Sequence, residues 1–362
     1  MNKKNYSIIR GTGSYVPSGR FRNESFIGNE FYNSDGKKLD KTNDEIIDKF
    51  GKITGIAERR YVTDDLVTSD ISFLAAKDAL ESSKIDKESL DYIIVAHNFG
   101  DVSAHNKRSD FVPSLAARVK QKLAVQNPKI IAYDLVFGCP AWLQGMIQSD
   151  YYLKSGDAKR ALVIGADILS RVSDPHDRDS MIYADGAGAT IVEATGSPDN
   201  SGIGILSHAA RSDSLEQTYM LRMGKSYDPD YRGNELFLKM DGHKLYEYAL
   251  RTVPLVVRES LVKAGLSLGD VNKVLLHQAN AKMDEAILKR LFRLYGVKEA
   301  PPYVMPMIIS WLGNSSVATL PTLLDLLLKG KLDNHELKKG DVVVFASVGA
   351  GMNINSMVYR MP

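Results

Sequence analysis

The chain repeats itself, and the repeat limits what it can fold into. A helical pattern ending near Glu81-Ser82-Ser83 leads through Leu90-Asp91 into an apolar run over 92–96 and then His97. Far downstream, a helical pattern ending near Glu259-Ser260-Leu261 leads through Gly269-Asp270 into the run 274–276 and His277, 180 positions after His97. Gly138-Cys139 then opens a helical stretch that closes at Lys154-Ser155-Gly156, followed by the strand-like 161–165. Gly313-Asn314 opens another that closes at Leu328-Lys329-Gly330, followed by 342–346, and Asn314 lies 175 positions after Cys139. Four elements in one order at nearly one offset predict duplicated halves. The turn residues of 195–200 mark the joint, so 1–196 reads as an N-terminal half and 197–362 as a C-terminal one. A length of 362 residues, too great for one ordinary core, agrees with that division.

Within each half, apolar runs of strand length alternate with amphipathic stretches of helix length, the pattern of an α/β protein. Strands are predicted over 92–96, 130–136, 161–165, 274–277 and 342–346, and helices over 69–82, 141–154, 246–263, 282–295 and 316–329. In paired α/β halves the chemistry sits on loops at strand ends, where helix N-termini also point. A pseudo-twofold axis then brings Cys139 and Asn314 to one central site, with His277 beside Asn314.

Cys139, the chain's single cysteine, lies in Phe137-Gly138-Cys139-Pro140-Ala141-Trp142. Pro140 suits the first helical position, which makes Cys139 the helix N-cap, facing the positive end of the macrodipole. A thiol held there is expected to have a lowered pKa, and thiolate is the nucleophile. The ordinary fate of a lone cysteine is structural burial; the Gly-Cys-Pro junction between strand and helix favours the nucleophile. His277 alone would read as a polar strand end, and its place in the repeat is what makes it a catalytic candidate. Asn314 also suits plain helix capping, and local sequence leaves both readings open.

Composition closes off other classes. With 44% hydrophobic and 25% charged residues and a net charge of +2, the chain lacks the basic excess of a nucleic-acid binder. No run of 18 apolar residues offers a membrane span, and the N-terminus has no stretch of signal-peptide length. One cysteine allows no internal disulfide, so a cytoplasmic location is expected. Gly11-Thr12-Gly13 lacks the third glycine of a dinucleotide fingerprint, and Ala184-Asp185-Gly186-Ala187-Gly188 runs into a strand rather than a helix. His176, Asp177 and Asp179 have no further ligand at metal-site spacing, so neither a metal nor a resident cofactor is expected.

Seven segments in order resemble the β-ketoacyl-acyl carrier protein synthase III family of thiolase-like condensing enzymes. They are Gly11-Thr12-Gly13-Ser14-Tyr15-Val16-Pro17, Thr54-Gly55-Ile56, Gly138-Cys139, Asp174-Pro175-His176-Asp177-Arg178, Asp185-Gly186-Ala187-Gly188-Ala189, His277-Gln278-Ala279-Asn280 and Gly313-Asn314-Ser315-Ser316. The resemblance implies a thiolase-like fold with αβαβα layers, a homodimer, and a decarboxylative Claisen condensation in fatty acid biosynthesis. Cys139 would carry the acyl group, and the backbone amides of Cys139 and Ala350 would hold the oxyanion. His277 and Asn314 would donate hydrogen bonds to the malonyl thioester as its charge develops. Thr54, Arg178 and Asn280 would contact a coenzyme A thioester. Lys282, Lys289, Arg290 and Arg293, which share one face of a predicted helix, would dock the acidic acyl carrier protein; the ordinary alternative is a solvated charged face.

The departures from the pattern concern the acyl donor. The segment before Thr54-Gly55-Ile56 lacks the tryptophan and arginine that clamp adenine in acetyl-coenzyme A users. Leu312 stands where histidine is common, Ala350 replaces a glycine, and 97–110 is longer than usual. The alternative function is a ketosynthase of secondary metabolism that joins longer acyl chains, by dialkylresorcinol-forming or head-to-head condensation. A degradative thiolase needs a second cysteine, the duplicated architecture opposes a Cys/His/Asn protease, and a non-catalytic scaffold would be expected to lack one of the three residues.

Overall fold

The structure is a computed structural model describing residues 6–196 and 202–362. Part of the predicted joint, residues 197–200, lies outside the described residues.

The first sheet takes β1 (Tyr6–Tyr15), β4 (Tyr92–Ala96), β5 (Ile131–Leu135), β6 (Arg160–Ile168) and β7 (Asp185–Thr195), in the order β1-β7-β6-β4-β5. The second takes β8 (Gly204–Ser212), β11 (Val271–Leu276), β12 (Val342–Gly349) and β13 (Asn353–Arg360), in the order β11-β12-β13-β8. Read from β8, the second sheet repeats the first four strands of the first in order and in sense. In each, two antiparallel pairings are followed by one parallel pairing. This is the duplication expected from the offset histidines, since His97 and His277 directly follow the C-terminal ends of β4 and β11. Two short antiparallel ribbons lie outside these sheets. They pair β2 (Gly19–Arg22) with β3 (Glu58–Tyr61), and β9 (Leu221–Gly224) with β10 (Phe237–Met240).

Helices α2 (Thr68–Ser83) and α3 (Leu115–Lys122) cover the outer face of the first sheet. Helices α6 (Gly242–Ala264) and α7 (Ala281–Arg293) pack together outside the second. Between the sheets lie α4 (Ala141–Ser155) and α9 (Thr319–Leu328), completing five αβαβα layers. A helix apolar on all sides belongs in such a central layer, and every residue of α9 from Thr319 to Leu327 is buried. Its one charge, Asp325, is neutralised there: Ser14 Oγ donates to it at 2.6 Å and Lys329 Nζ lies 2.8 Å away.

Two glycine-rich segments that might suggest a nucleotide site have structural work instead. Gly11-Thr12-Gly13 lies inside β1 rather than after a strand. A Cβ on Gly188 in β7 would come within 2.6 Å of Thr322 N, so glycine lets α9 press onto the sheet. The remaining helices are α1 (Asn43–Thr54), and the short α5 (Ser214–Gln217) and α8 (Ile309–Leu312). The helix predicted from residue 316 begins as a 3-10 turn, Ser316–Ala318, and becomes α-helical at Thr319.

Candidate active site

The two central helices start at the same place. Cys139 precedes α4, Ser316 precedes α9, and Ser316 Oγ donates to Cys139 Sγ at 3.3 Å. Around them opens a cavity of about 1280 Å³, with Cys139, His277, Asn314, Ser316 and Ala350 in its wall. The three residues singled out by the repeat are therefore brought together.

The strand-to-helix turn before Cys139 needs Gly138 at φ +69°, a left-handed conformation. A Cβ there would also lie 2.7 Å from Ala350 N, and one on Gly349 would lie 2.5 Å from Cys139 N. The backbones of the two loops thus abut, and the amides of Cys139 and Ala350 come from neighbouring segments.

Helix α4 begins at Ala141, as the pattern predicts, but its N-cap is not Cys139. Pro140 occupies the N-cap and Cys139 lies just outside it. The expected lowering of the thiol pKa is also corrected: burial pushes Cys139 up to about 11, against the pull of the Ser316 hydrogen bond. Enclosure removes the water that would solvate a thiolate, and here that outweighs the hydrogen bond. At neutral pH Cys139 is therefore a thiol.

His277 follows β11, and its backbone N–H donates to Ala346 at 2.9 Å. Burial pushes its pKa down to about 4, so the imidazole is neutral at pH 7, and its buried Nδ1 has no hydrogen-bond partner among the described residues. Asn314 is not a helix cap. Its backbone is fixed to the first half, with N donating to Ile182 O at 3.0 Å and O accepting from Ala184 N at 2.8 Å. Its Oδ1 accepts from Ser316 N at 2.8 Å, and its Nδ2 has no acceptor among the described residues.

The remaining predicted contacts divide. Arg178, half exposed, lines the cavity with Lys41 and Lys49. Asn280 lines it too, while its Oδ1 caps α7 by accepting from Met283 N at 3.2 Å. Thr54 lies in the wall, but its hydroxyl is occupied: it donates to Phe50 O at 2.8 Å and accepts from Ile56 N at 3.2 Å. Lys282, Lys289, Arg290 and Arg293 are all exposed along α7, and none forms an ion pair among the described residues.

Local sequence did not reveal three supports of this site. Gln278, fully buried, donates to Pro306 O at 2.8 Å and accepts from Ile308 and Ile309. Lys239 is buried against Asp174 and Asp177. Despite burial, which acts upward, hydrogen bonds from Lys239, Tyr227 and His176 hold Asp174 below the usual carboxylate range. This cluster fixes the turn that presents Arg178, and beside it burial and the Asp177 charge push Asp179 up to about 6. Finally, Asn98 and Asp167 stand behind Ser316: Asn98 Nδ2 donates to Asp167 at 2.8 Å and to Ser316 Oγ at 3.1 Å.

Two family models match the chain. The 3-oxoacyl-[acyl-carrier-protein (ACP)] synthase III model covers residues 133–214, and the synthase III C-terminal model covers 261–361. Among solved structures the chain is similar to the 3-oxoacyl-[acyl-carrier-protein] synthase III of Aquifex aeolicus VF5, at 27% identity and TM-score 0.77 over 98% of this chain and 99% of that one. It is similar to the Thermus thermophilus synthase III at 27% identity and TM-score 0.78, again over 98% and 99%. It shares its fold with the priming β-ketosynthase of the R1128 polyketide pathway, at 24% identity and TM-score 0.80 over 100% and 98%. With both halves matched and the duplicated fold in place, the chain belongs to the 3-oxoacyl-[acyl-carrier-protein] synthase III family of condensing enzymes.

Proposed function

We propose that the chain joins a Cys139-bound acyl group to malonyl-acyl carrier protein by decarboxylative Claisen condensation, in fatty acid biosynthesis. The observation that carries this reading is the meeting of Cys139, His277 and Asn314 in one cavity. Cys139 Sγ attacks the acyl thioester and expels the carrier thiol, dividing the reaction into two steps. The backbone amides of Cys139 and Ala350 hold the tetrahedral oxyanion. Malonyl-carrier protein then loses carbon dioxide, and the enolate carbon attacks the acyl-cysteine, releasing Cys139. A neutral His277 and the Nδ2 of Asn314 are suited to donating to the enolate oxygen, because a neutral donor leaves no buried charge in the resting site. This chemistry calls for no metal or resident cofactor.

Arg178, Lys41 and Lys49 give the cavity a cationic rim for a phosphate-bearing pantetheine thioester. The exposed basic stripe on α7 suits an acidic carrier protein. Strand β5 forms an open sheet edge, with Ile131 and Val136 exposed and Phe111 and Val112 exposed on the loop before α3. We infer a homodimer that covers this edge, in a cytoplasmic protein.

The cavity favours one second reading, a secondary-metabolism ketosynthase joining longer acyl chains. Its volume of about 1280 Å³ and its Leu221, Leu238, Leu245 and Met283 wall would admit a long chain. Incubating the protein with acyl thioesters of graded length, then with malonyl-carrier protein, separates the two. A β-ketoacyl product from short primers supports the first reading; products only from long chains support the second; no condensation with any primer contradicts both.

A further inference from the structure

The donors named so far serve oxygen: His277 and Asn314 the enolate, the backbone amides the oxyanion. The sulfur of Cys139 gains negative charge twice as well, once when the thiol is drawn into attack and again when the enolate displaces it from the acyl-cysteine. The enclosure that pushes the thiol up to about 11 makes that charge costly. Among the described residues, the side-chain hydrogen bond to Sγ comes from Ser316, whose Oγ donates at 3.3 Å.

Ser316 is buried and held at φ 52°, a left-handed conformation uncommon for any residue but glycine. Its backbone N–H donates to Asn314 Oδ1 at 2.8 Å, so the main chain orients the asparagine while the side chain turns to the sulfur. A serine hydroxyl has a single proton, and its other neighbours decide where that proton points. Asn98 Nδ2 donates to Ser316 Oγ at 3.1 Å, which fills an acceptor position there. The amide cannot face the other way, because the same Nδ2 also donates to Asp167 Oδ2 at 2.8 Å, beside an Asn98 backbone N–H that donates to Oδ1 at 2.9 Å. With an acceptor side occupied, the hydroxyl gives its proton to Sγ.

Resting on the condensing function proposed above, we propose that Ser316 is a further catalytic residue, whose hydroxyl stabilises the Cys139 sulfur as charge forms on it in both half-reactions. Asn98 acts through Ser316 and is a positioning residue. Ser316 keeps its own proton throughout. In acylation Sγ bonds to the thioester carbon, the bond from that carbon to the donor sulfur breaks, and the Sγ proton ends on the departing thiol. In condensation the enolate carbon bonds to the acyl carbon, the Sγ–carbon bond breaks, and Cys139 leaves as a thiolate that takes a proton from water. A hydrogen bond to an ionised acceptor is roughly twice as strong as one to a neutral acceptor. The Ser316 bond therefore favours both transition states over the resting thiol.

Ser316→Gly tests this with little disturbance of the chain, since glycine accepts φ 52° and retains the N–H that holds Asn314. Three quantities are read: the pH profile of Cys139 alkylation by iodoacetamide, single-turnover acylation by whichever thioester acylates the wild type, and β-ketoacyl product formed per carbon dioxide released. In Ser316→Gly the alkylation profile moves to higher pH, and acylation slows on the order of 10- to 100-fold. Product per carbon dioxide falls, because the enolate is protonated before it displaces the sulfur. Asn98→Ala leaves the hydroxyl in place but unaimed, so acylation slows less than in Ser316→Gly. The double variant is no slower than Ser316→Gly alone, since Asn98 acts only through the hydroxyl. An unmoved alkylation profile, an unchanged ratio of product to carbon dioxide, or multiplying losses in the double variant would each overturn the proposal. Alkylation needs no thioester. A wild type that no thioester acylates would thus contradict the condensing function, while the alkylation profiles still decide whether Ser316 serves the sulfur.

Discussion

Gln278 accepts the backbone N–H of Ile308 at Oε1, at 2.8 Å, and that of Ile309 at 3.0 Å, so the residue after His277 holds the segment leading to Asn314. Its Nε2 donates to Pro306 O at 2.8 Å. Two loops that must present neighbouring donors are thereby joined by one buried side chain.

Gln278→Ala is expected to leave those backbone groups unpaired and to destabilise the protein by roughly 2–4 kcal/mol. Urea unfolding at pH 7 measures this. A loss under about 0.5 kcal/mol would show that the loops are held by other contacts.

His277→Ala and Asn314→Ala should separate the half-reactions. Both variants should still acylate Cys139 but lose malonyl decarboxylation, on the order of 100- to 1000-fold for each donor removed. Carbon dioxide release and acyl-enzyme formation are measured side by side. If Asn314→Ala loses acylation as severely, its amide serves the first step instead.

How far the sequence discloses this site depends on the range of the interaction. Strand periodicity yields β4 with its observed bounds, and the repeat joins His277, Cys139 and Asn314 before any contact is known. Asn98, Asp167 and Lys239 are silent, because a polar residue gives no local sign that a partner 60 or more positions away will bury it. The state of Cys139 escapes for a related reason. The Gly-Cys-Pro junction reports the nearby helix end, whereas the pKa is set by enclosure between two halves. Thr54 lies in the cavity wall as its motif suggests, while its hydroxyl is committed to the end of its own helix, which its sequence position does not reveal.

The raised thiol pKa makes a prediction for stability. In the unfolded chain Cys139 ionises near 9.0, and in the folded one near 11. The folded state therefore holds the proton longer, and its contribution, whole below pH 9, is lost as pH rises through 11. Unfolding of wild type and Cys139→Ala at pH 8 and pH 10.5 should show the wild type losing stability relative to the variant. A pH-independent difference would mean that the thiol is not desolvated.

The stripe on α7 should matter only for carrier-bound substrates. Reversing Lys289 and Arg290 to Glu should raise the apparent KM for malonyl-carrier protein several-fold at low salt, with the defect shrinking as salt screens the charges. Acylation by a coenzyme A thioester should change much less. A merely solvated face would leave both rates unaltered, and equal losses with both substrates would indicate a damaged fold.

The most direct test of the whole account is the mass of the protein after incubation with a panel of acyl-coenzyme A and acyl-carrier thioesters. One acyl group should be added, on the peptide containing Cys139, and Cys139→Ala should remain unmodified. An adduct that persists in Cys139→Ala would contradict the covalent mechanism and the assignment of the cavity as the acyl site.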